Sequence, residues 1–393
     1  LAILDLSMNN LSGILPGNSS FPYRVLDLSY NALVGNFPNS SDCYLESLQL
    51  TGNSFSGEFP PSLSYCSHMV TLDMGENNFT GKIPNWLAQR MPSLRILRLR
   101  SNNFTGDIPS NLSSLTQLQV VDLADNDFTG TIPPSFDNFT AMKFIHNMSE
   151  TPDLTAPRYY HGLYVTSFIS PTAYKDAIDV VTKGKSTKQR SLLFLVTSMD
   201  LSDNRLSGSI PQGLASLSCL QSLNLSGNRL TGQIMQNVGA LRWMESLDLS
   251  RNSLSGPIPP LMSSMTSLSV LNLSFNNLSG MIPTANQFHT FLDPSSYMGN
   301  PYLCGVPLDK PCEGTGELCG REYKGQSKDD RDNDAVWLYA SVALGFILGF
   351  WAFCGALILV KQWRFMFFRF VDDTSDQIYV FVVVCIRRLR RGT

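Results

Sequence analysis

One pattern, L-x-L-x-x-N-x-L/F-x-G-x-I/F-P, recurs ten times along this chain and constrains its fold more than any other feature. The asparagines of the pattern follow one another at intervals of 22 to 25 residues, apart from one gap of 78. Self-similarity at such a period indicates a solenoid of stacked coils. The asparagines, one for each coil, are Asn9, Asn31, Asn53, Asn77, Asn102, Asn126, Asn204, Asn228, Asn252 and Asn276.

Each position of the repeat has a physical role, which the ninth coil illustrates. In residues 247–249 the two leucines of a short strand point inward and the aspartate between them points outward. The Asn252 amide is expected to satisfy backbone groups of the turn, and Gly256 to permit a bend that a Cβ would oppose. Ile258 and Pro259 are expected to start a second extended stretch on the flank. The pattern therefore predicts an α/β-type repeat solenoid with a parallel β-sheet on its concave face.

The G-x-I-P ending of the coils resembles the plant-specific class of leucine-rich repeats. Nine of the ten coils carry its proline, and Met235 replaces it in the eighth. This resemblance implies a plant-specific leucine-rich-repeat superhelix.

A 26-residue stretch without charged residues, from Ala335 to Val360, predicts a transmembrane helix. At 1.5 Å per residue it would measure about 39 Å, enough to cross a hydrocarbon core of about 30 Å. The tail that follows has seven basic and three acidic residues, which favours a cytosolic C-terminus. The expected location is the plasma membrane, with a single pass and the repeats outside. A buried core helix is the alternative, but no other domain is present to bury it.

These features divide the chain into seven parts. The repeats fill 1–142 in six coils and 192–283 in four, and an island of 143–191 without recognisable repeats separates them. A C-terminal cap is expected at 284–312 and an acidic extracellular segment at 313–334, before the transmembrane helix at 335–360 and the cytoplasmic tail at 361–393. The chain begins within a coil and without a signal peptide, so we expect it to be the C-terminal portion of a longer protein.

The island is the main candidate for ligand binding. A long non-repeat stretch within a compact array is usually functional or disordered, and the aromatic content here argues against disorder. A tolerated insertion is the alternative. The residues that we expect to contact a ligand are Tyr159, Tyr160, His161, Tyr164, Tyr174 and Lys183.

Two arginines on the fifth coil are a second candidate. Arg98 and Arg100 project from the concave face between acidic residues of the neighbouring coils, Asp73, Glu76, Asp122 and Asp125. Ion pairs between neighbouring strands are the favoured interpretation, and an arginine hot spot for an acidic or polar ligand is the alternative. The aspartates that recur at the same strand position are interpreted as polar residues on a solvated face, rather than as catalytic acids.

The cysteines are interpreted from their positions. Cys304 and Cys312 directly follow the last coil, where a solenoid needs a lid over its open core, and we expect them to form a disulfide, although Cys319 could compete. Cys43, Cys66 and Cys219 lie just before strands. For these three, burial as small hydrophobic residues is favoured over bridging.

Asparagines in N-x-S/T sequences fit an extracellular location of the repeats. Some of these sequences arise from the repeat pattern itself. Asn224 and Asn272 lie on concave strands, where glycans would obstruct binding. The predicted glycosylation sites are Asn18, Asn39, Asn78, Asn103, Asn111, Asn138 and Asn147.

The whole layout resembles the plant leucine-rich-repeat receptor-like proteins, which lack a kinase domain. The residues that carry the resemblance are the island before the last four coils, the cap from Gly299 to Cys312, and the phrases at 97–104 and 282–288. The last two are similar to the branch that senses fungal xylanase. Val180-Val181-Thr182-Lys183-Gly184 matches the V-x-x-K-G end of the family's island.

The resemblance implies a function in recognition. A protein or peptide ligand would contact the island and its neighbouring coils, a co-receptor kinase ectodomain would contact coils seven to ten, and an adaptor receptor-like kinase would pair with the membrane span. Ser341, Gly345 and Gly349 share one face of that span and are the candidates for helix pairing, with chance occurrence of small residues as the alternative. A receptor in plant defence is favoured. A developmental peptide co-receptor and a wall-associated binding or inhibitor module are the alternatives.

Catalysis is not expected. The sequence contains no kinase glycine-rich loop, V-A-I-K lysine or H-R-D stretch, and a tail of 33 residues is too short for a kinase. The four histidines are scattered, so their spacing suggests neither a metal site nor a Ser-His-Asp triad, and no cofactor is expected.

Overall fold

The computed structural model describes residues 3–17, 22–40, 42–144, 159–160, 163–164, 178–182, 185–189 and 196–312. Within these residues no helix is both long enough and apolar enough to cross a membrane. The predicted transmembrane helix, the segment before it and the cytoplasmic tail all lie outside them. The 25 strands of the described residues are numbered β1 to β25 in chain order.

Ten short strands, one from each coil, form a single parallel sheet. Neighbouring strands pair in a register that places equivalent leucines side by side, because every coil repeats the same pattern. Leu48 on β5, for example, pairs with Leu72 on β7. From coil two onward the inward-facing apolar residues are buried in one continuous core, against which the partly buried Leu4 of coil one packs. The strands are β1 Ile3–Asp5, β3 Val25–Asp27, β5 Ser47–Gln49, β7 Thr71–Asp73, β9 Ile96–Arg98, β11 Val120–Asp122, β17 Ser198–Asp200, β19 Ser222–Asn224, β21 Ser246–Asp248 and β23 Val270–Asn272.

The repeat asparagines join each coil to the one before it, as their predicted role in backbone bonding requires. Asn102 donates through Nδ2 to three carbonyl oxygens, one of which is that of Met74 on the preceding coil at 3.0 Å. Its Oδ1 accepts from the Phe79 N–H of the same preceding coil at 2.9 Å. The amide side chain thus satisfies backbone groups of two coils inside a buried turn.

A second set of parallel strands lies after the asparagine turn and before the I-P pair. This stretch begins earlier than predicted, because the strand of the ninth coil covers Ser253–Gly256 and ends before Ile258. The strands are β2 Ser12–Ile14, β4 Ala32–Gly35, β6 Ser54–Glu58, β8 Asn78–Gly81, β10 Asn103–Asp107, β12 Asp127–Thr129, β18 Ser207–Ser209, β20 Arg229–Gly232, β22 Ser253–Gly256, β24 Asn277–Met281 and β25 Tyr302–Cys304.

The prolines of the I-P pairs lead into short helices rather than into strands. Pro259 has φ −59° and ψ 126° and directly precedes a 3₁₀ helix of five residues. In the eighth coil, where Met235 replaces the proline, the 3₁₀ helix has three residues and Met235 is buried. The 3₁₀ helices are Pro61–Tyr65, Ser110–Ser114, Pro134–Asn138, Gln212–Ser216, Val238–Ala240, Pro260–Ser264, Asn286–Thr290 and Pro294–Ser296, and the α-helices are α1 Leu87–Arg90 and α2 Thr140–Lys143.

Coils six and seven are direct neighbours in space, although the island separates them in sequence. β11 pairs with β17 in register, and Asn204 accepts from the Phe128 N–H on coil six at 3.0 Å. We call this contact between coils six and seven the seam. Within the island, β13 Tyr159–Tyr160 pairs antiparallel with β14 Leu163–Tyr164, and β15 Ile178–Thr182 with β16 Lys185–Gln189. The solenoid therefore continues across the point where the island is inserted.

The C-terminal cap continues the repeat in a degenerate form. Asn300 takes the position of the repeat asparagine and accepts from the Leu278 N–H at 3.0 Å, a role that the sequence analysis did not assign to it. β25 pairs with β24 of the last coil. A disulfide joins Cys304 to Cys312 in this cap.

A second disulfide corrects the sequence analysis. Cys43 at the end of coil two is bonded to Cys66 at the end of coil three, whereas unpaired burial was favoured for both. The two positions approach because the coils stack, which their sequence separation of 23 does not reveal. Cys219 is free in the structure and donates to the Lys143 carbonyl.

Candidate functional site

The recurring aspartate of the concave strands has a structural role in most coils. Asp200 Oδ1 accepts from the backbone N–H of Ser202 at 3.0 Å, two residues further on. Asn272 makes the same contact with Ser274, so an amide serves as well as a carboxylate. Several of these side chains are buried rather than solvated, contrary to the sequence analysis. The aspartates that accept from the residue two positions on are Asp5, Asp27, Asp73, Asp122, Asp200 and Asp248.

Arg98 lies at the centre of a buried ion-pair network on the concave face. Its side chain is 3% exposed, and its Nη1 lies 3.2 Å from Asp73 Oδ2 while its Nη2 lies 2.9 Å from Glu76 Oε1. Nη1 also donates to the Thr51 hydroxyl at 2.7 Å. Nε is 3.5 Å from Asp122 Oδ2, an ion-pair contact without a hydrogen bond. One guanidinium thus contacts side chains of coils three, four and six.

Arg100 extends the network to coil seven. Its Nε donates to Asp122 Oδ2 at 2.9 Å, and its Nη2 donates to Asp200 Oδ2 on coil seven. Asp125 was expected as a partner, and the structure has Asp200 instead, because Arg100 reaches past coil six to coil seven. Asp125 is exposed on the turn that follows β11.

The network changes the proton affinity of its members. Burial, together with the charge of Asp200, raises the pKa of Asp122 to about 6, although Arg100 and Arg98 both act to lower it. Burial alone would lower the pKa of Arg98, but Asp73, Asp122 and Glu76 outweigh it and hold that pKa above its ordinary value. Both arginines therefore remain charged.

The geometry separates the two arginines as candidates for ligand binding. Arg98 is buried and already paired with three carboxylates, so it holds the coils together, as the favoured ion-pair interpretation expected. The side chain of Arg100 is 21% exposed, which leaves it an edge that a ligand could reach. The ligand-binding role that we assigned to Arg98 does not fit its burial.

The other candidate residues fall largely outside the described side chains. Tyr159 pairs with Tyr164, and Tyr160 with Leu163, in the backbone register of β13 and β14. His161, Tyr174 and Lys183 lie outside the described residues, as do Ser341, Gly345 and Gly349 of the predicted span.

The predicted glycosylation sites lie away from the concave sheet where the structure describes them. Asn78 and Asn103 are exposed at the first positions of β8 and β10 on the flank. Asn39 and Asn138 are also exposed, whereas Asn111 is half-buried and donates to the Asn85 carbonyl at 2.7 Å. Asn18 and Asn147 lie outside the described residues.

An apolar patch at the end of the solenoid was missed by the sequence analysis. Phe275 adopts a left-handed φ of +55° and is 49% exposed, and the neighbouring Met298 is 47% exposed. A Cβ at Gly299 would lie 2.6 Å from Phe275 Cδ1, so the ring rests directly on that glycine. The sequence signal for this contact was Gly299, because a glycine leaves room for the aromatic ring of Phe275 on the previous coil.

The described residues hold no group of three or more His, Cys, Asp and Glu that could bind a metal ion. The described carboxylates of the concave face instead accept hydrogen bonds from backbone N–H groups of turns or form ion pairs with arginines. The arrangement is suited to presenting a long, rigid, mostly polar surface to another molecule.

Comparison with known proteins places these features in a family. The Leucine Rich Repeat family model matches eight segments, 44–66, 68–89, 93–115, 117–139, 196–217, 219–241, 243–265 and 267–288. The chain is 46% identical over 334 residues to receptor-like protein EIX2 and 48% identical over 337 residues to receptor-like protein EIX1, both from Solanum lycopersicum. Each alignment covers 84% of this chain and 32% of the relative, so the chain spans about a third of the relatives' length.

A solved structure supports the assignment of the fold as a leucine-rich-repeat solenoid. The Arabidopsis receptor kinase HAESA, in complex with the peptide hormone IDA and the co-receptor SERK1, is 28% identical with a TM-score of 0.50. The match covers 79% of this chain and 51% of HAESA. The parallel solenoid described above is therefore the fold of plant leucine-rich-repeat receptor ectodomains.

Proposed function

Because this chain is homologous to the plant leucine-rich-repeat receptor-like proteins, we propose that it acts as a cell-surface receptor in plant defence. It binds an extracellular ligand, microbial or peptide, and signals through partner receptor kinases. The identity of 46–48% to EIX2 and EIX1 over 84% of the chain is the observation that carries the proposal.

The concave face and the island would form the recognition surface. The concave sheet is continuous across the seam, so the coils on both sides would support the island. Tyrosines provide large contact areas at a low cost in conformational entropy, which suits the island's composition. Arg100 lies at the same seam and would add a charged edge to this surface.

Coils seven to ten would receive the co-receptor kinase ectodomain. HAESA was crystallised with a co-receptor, and this chain has an exposed apolar patch on its last coil. Phe275 and Met298 are its central residues, and exposed aromatic side chains are frequent anchors of protein interfaces. An adaptor receptor-like kinase would pair with residues 335–360, the predicted single span in the plasma membrane.

The test is ligand-dependent association in plant cells that express the full-length receptor. A fungal xylanase would serve as the probe, and the receptor would be immunoprecipitated with and without it. The proposal predicts that a co-receptor kinase accumulates in the precipitate only after the probe is added. If neither the xylanase nor a panel of microbial extracts and secreted peptides changes the associated kinases, the receptor function is refuted.

A matched pair of variants tests the coil-ten surface. Phe275→Asn keeps a residue that tolerates the left-handed backbone and should reduce recruitment of the co-receptor at least several-fold. Leu261→Asn is the control, because Leu261 is also an exposed apolar residue, at 56%, but lies on the helix Pro260–Ser264 of the preceding coil. Equal recruitment of the co-receptor by the two variants would show that Phe275 is not part of the interface.

A further inference from the structure

Two buried carboxylates meet at the seam and have no part in the proposed recognition of ligand. Asp122 on β11 and Asp200 on β17 are paired in register, so adjacent strands place their side chains next to each other. The two side chains are 7% and 4% exposed. Two anions on adjacent strands, which lie about 4.8 Å apart, repel each other strongly when little water reaches them.

The charges that face this pair do not neutralise the network. Coil five supplies both cations: Arg100, two residues after the end of β9, contacts both carboxylates, and Arg98 on β9 is shared with Asp73 and Glu76 of coil four. On the other side, β19 places the neutral Asn224 in register with Asp200. Within the described residues, the network thus has two guanidinium groups and four carboxylates. At the seam itself, Arg100 is shared by two carboxylates, so one negative charge there is poorly compensated.

We propose that Asp122 and Asp200 form a proton-binding latch that tightens the seam, where the island leaves the solenoid, under mildly acidic conditions. One proton from solvent binds a carboxylate oxygen of Asp122, and the resulting O–H donates to Asp200. Arg100 keeps its ion pair with Asp200. The repulsion between the carboxylates is replaced by a hydrogen bond across coils six and seven.

The direction of the effect follows from linkage. Burial and Asp200 raise the pKa of Asp122 from 3.8 to about 6, so the folded chain holds the proton more tightly than the unfolded chain. Protonation of this group therefore stabilises the fold as the pH falls through about 6, and that stabilisation is lost as the pH rises. The latch thus engages in acid and releases near neutrality.

Thermal unfolding of the purified full-length chain in detergent tests the latch. The difference in Tm between the wild type and Asp122→Asn should change by about 2 °C or more between pH 5 and pH 7.5, in favour of the wild type at pH 5. Asp248→Asn is the control, because Asp248 occupies the same repeat position but accepts from the neutral Asn272 side chain. Its Tm difference from the wild type should stay constant over this range.

A second variant keeps the test decisive if Asp122→Asn does not fold. Asp200→Asn removes the repulsion, so the pH dependence of the wild type should shift to lower pH or disappear. Amide exchange, corrected for its intrinsic pH dependence, should slow at acid pH for Leu123 and Asp125, which donate to the carbonyls of Asp200 and Ser202 across the seam. Parallel Tm curves for the wild type and both Asp→Asn variants, with unchanged exchange at these amides, would overturn the latch.

Discussion

Arg100 on coil five donates through Nη2 to Asp200 on coil seven, a residue 100 positions later in the chain. The contact is possible because β11 and β17 pair across the island as if it were absent. Arg100 also binds Asp122 on the coil between them, so one side chain connects three consecutive coils. The seam is therefore held by side chains as well as by the sheet.

Removing this side chain should destabilise the solenoid. Arg100→Ala leaves Asp122 and Asp200 buried without their shared cation, and the loss should be about 2 kcal/mol or more in the free energy of unfolding. Arg205→Ala is the control, since its ion pair with Asp127 is 2.6 Å long but exposed, and it should cost less than about 1 kcal/mol. Denaturant unfolding of both variants measures the difference. Equal losses in the free energy of unfolding for the two variants would show that the buried network stabilises the fold no more than an exposed ion pair does.

The asparagine ladder should be similarly sensitive. Asn102→Ala removes a buried amide that bonds four backbone groups, and about 2–4 kcal/mol should be lost because these groups are left without partners. The neighbouring Asn103 is exposed at the start of β10, and its replacement by alanine should have little effect on stability. A comparable unfolding midpoint for the two variants would contradict the role of the ladder.

The repeat pattern predicted the sheet and the ladder because each depends on contacts that recur in every coil. Asp200, the Cys43–Cys66 bond and the ring of Phe275 over Gly299 were missed, since each depends on which residues two particular coils bring together. The second strand was placed late because proline was assigned to an extended stretch. In the structure the extended stretch lies at 253–256, and the proline precedes a 3₁₀ helix.

The disulfide between coils two and three provides a third test. Cys66→Ser opens a cross-link between residues 23 apart, and the unfolded chain gains conformational freedom worth about 3 kcal/mol. Cys219→Ser is the matched control, because Cys219 is free in the structure and should contribute little. Thermal unfolding under non-reducing conditions compares the two. If reduction lowers the Tm of the wild type and of Cys66→Ser equally, this bond does not stabilise the fold.

The predicted membrane span makes a separate prediction. Replacing Gly345 and Gly349 by leucine should reduce co-purification with the adaptor kinase, because close approach of a second helix needs small residues on one face. Ala343 and Ile347, replaced by leucine, provide the control, because 3.6 residues per turn places them on the opposite face of a helix. Surface expression should persist in both variants. Unchanged co-purification of the glycine variant would end the helix-pairing hypothesis.

The most direct test of the receptor function is replacement of residues 159–184 by a short Gly/Ser linker in the full-length receptor. Folding and surface display should survive, because the strands on either side of the seam pair without the island. Co-immunoprecipitation of the co-receptor, with and without ligand, is the measurement. We predict that ligand-dependent recruitment of the co-receptor is lost in the variant and retained in the wild type. Recruitment that remains ligand-dependent at wild-type strength would show that the island is a passive insertion and would contradict the coupling of ligand to co-receptor.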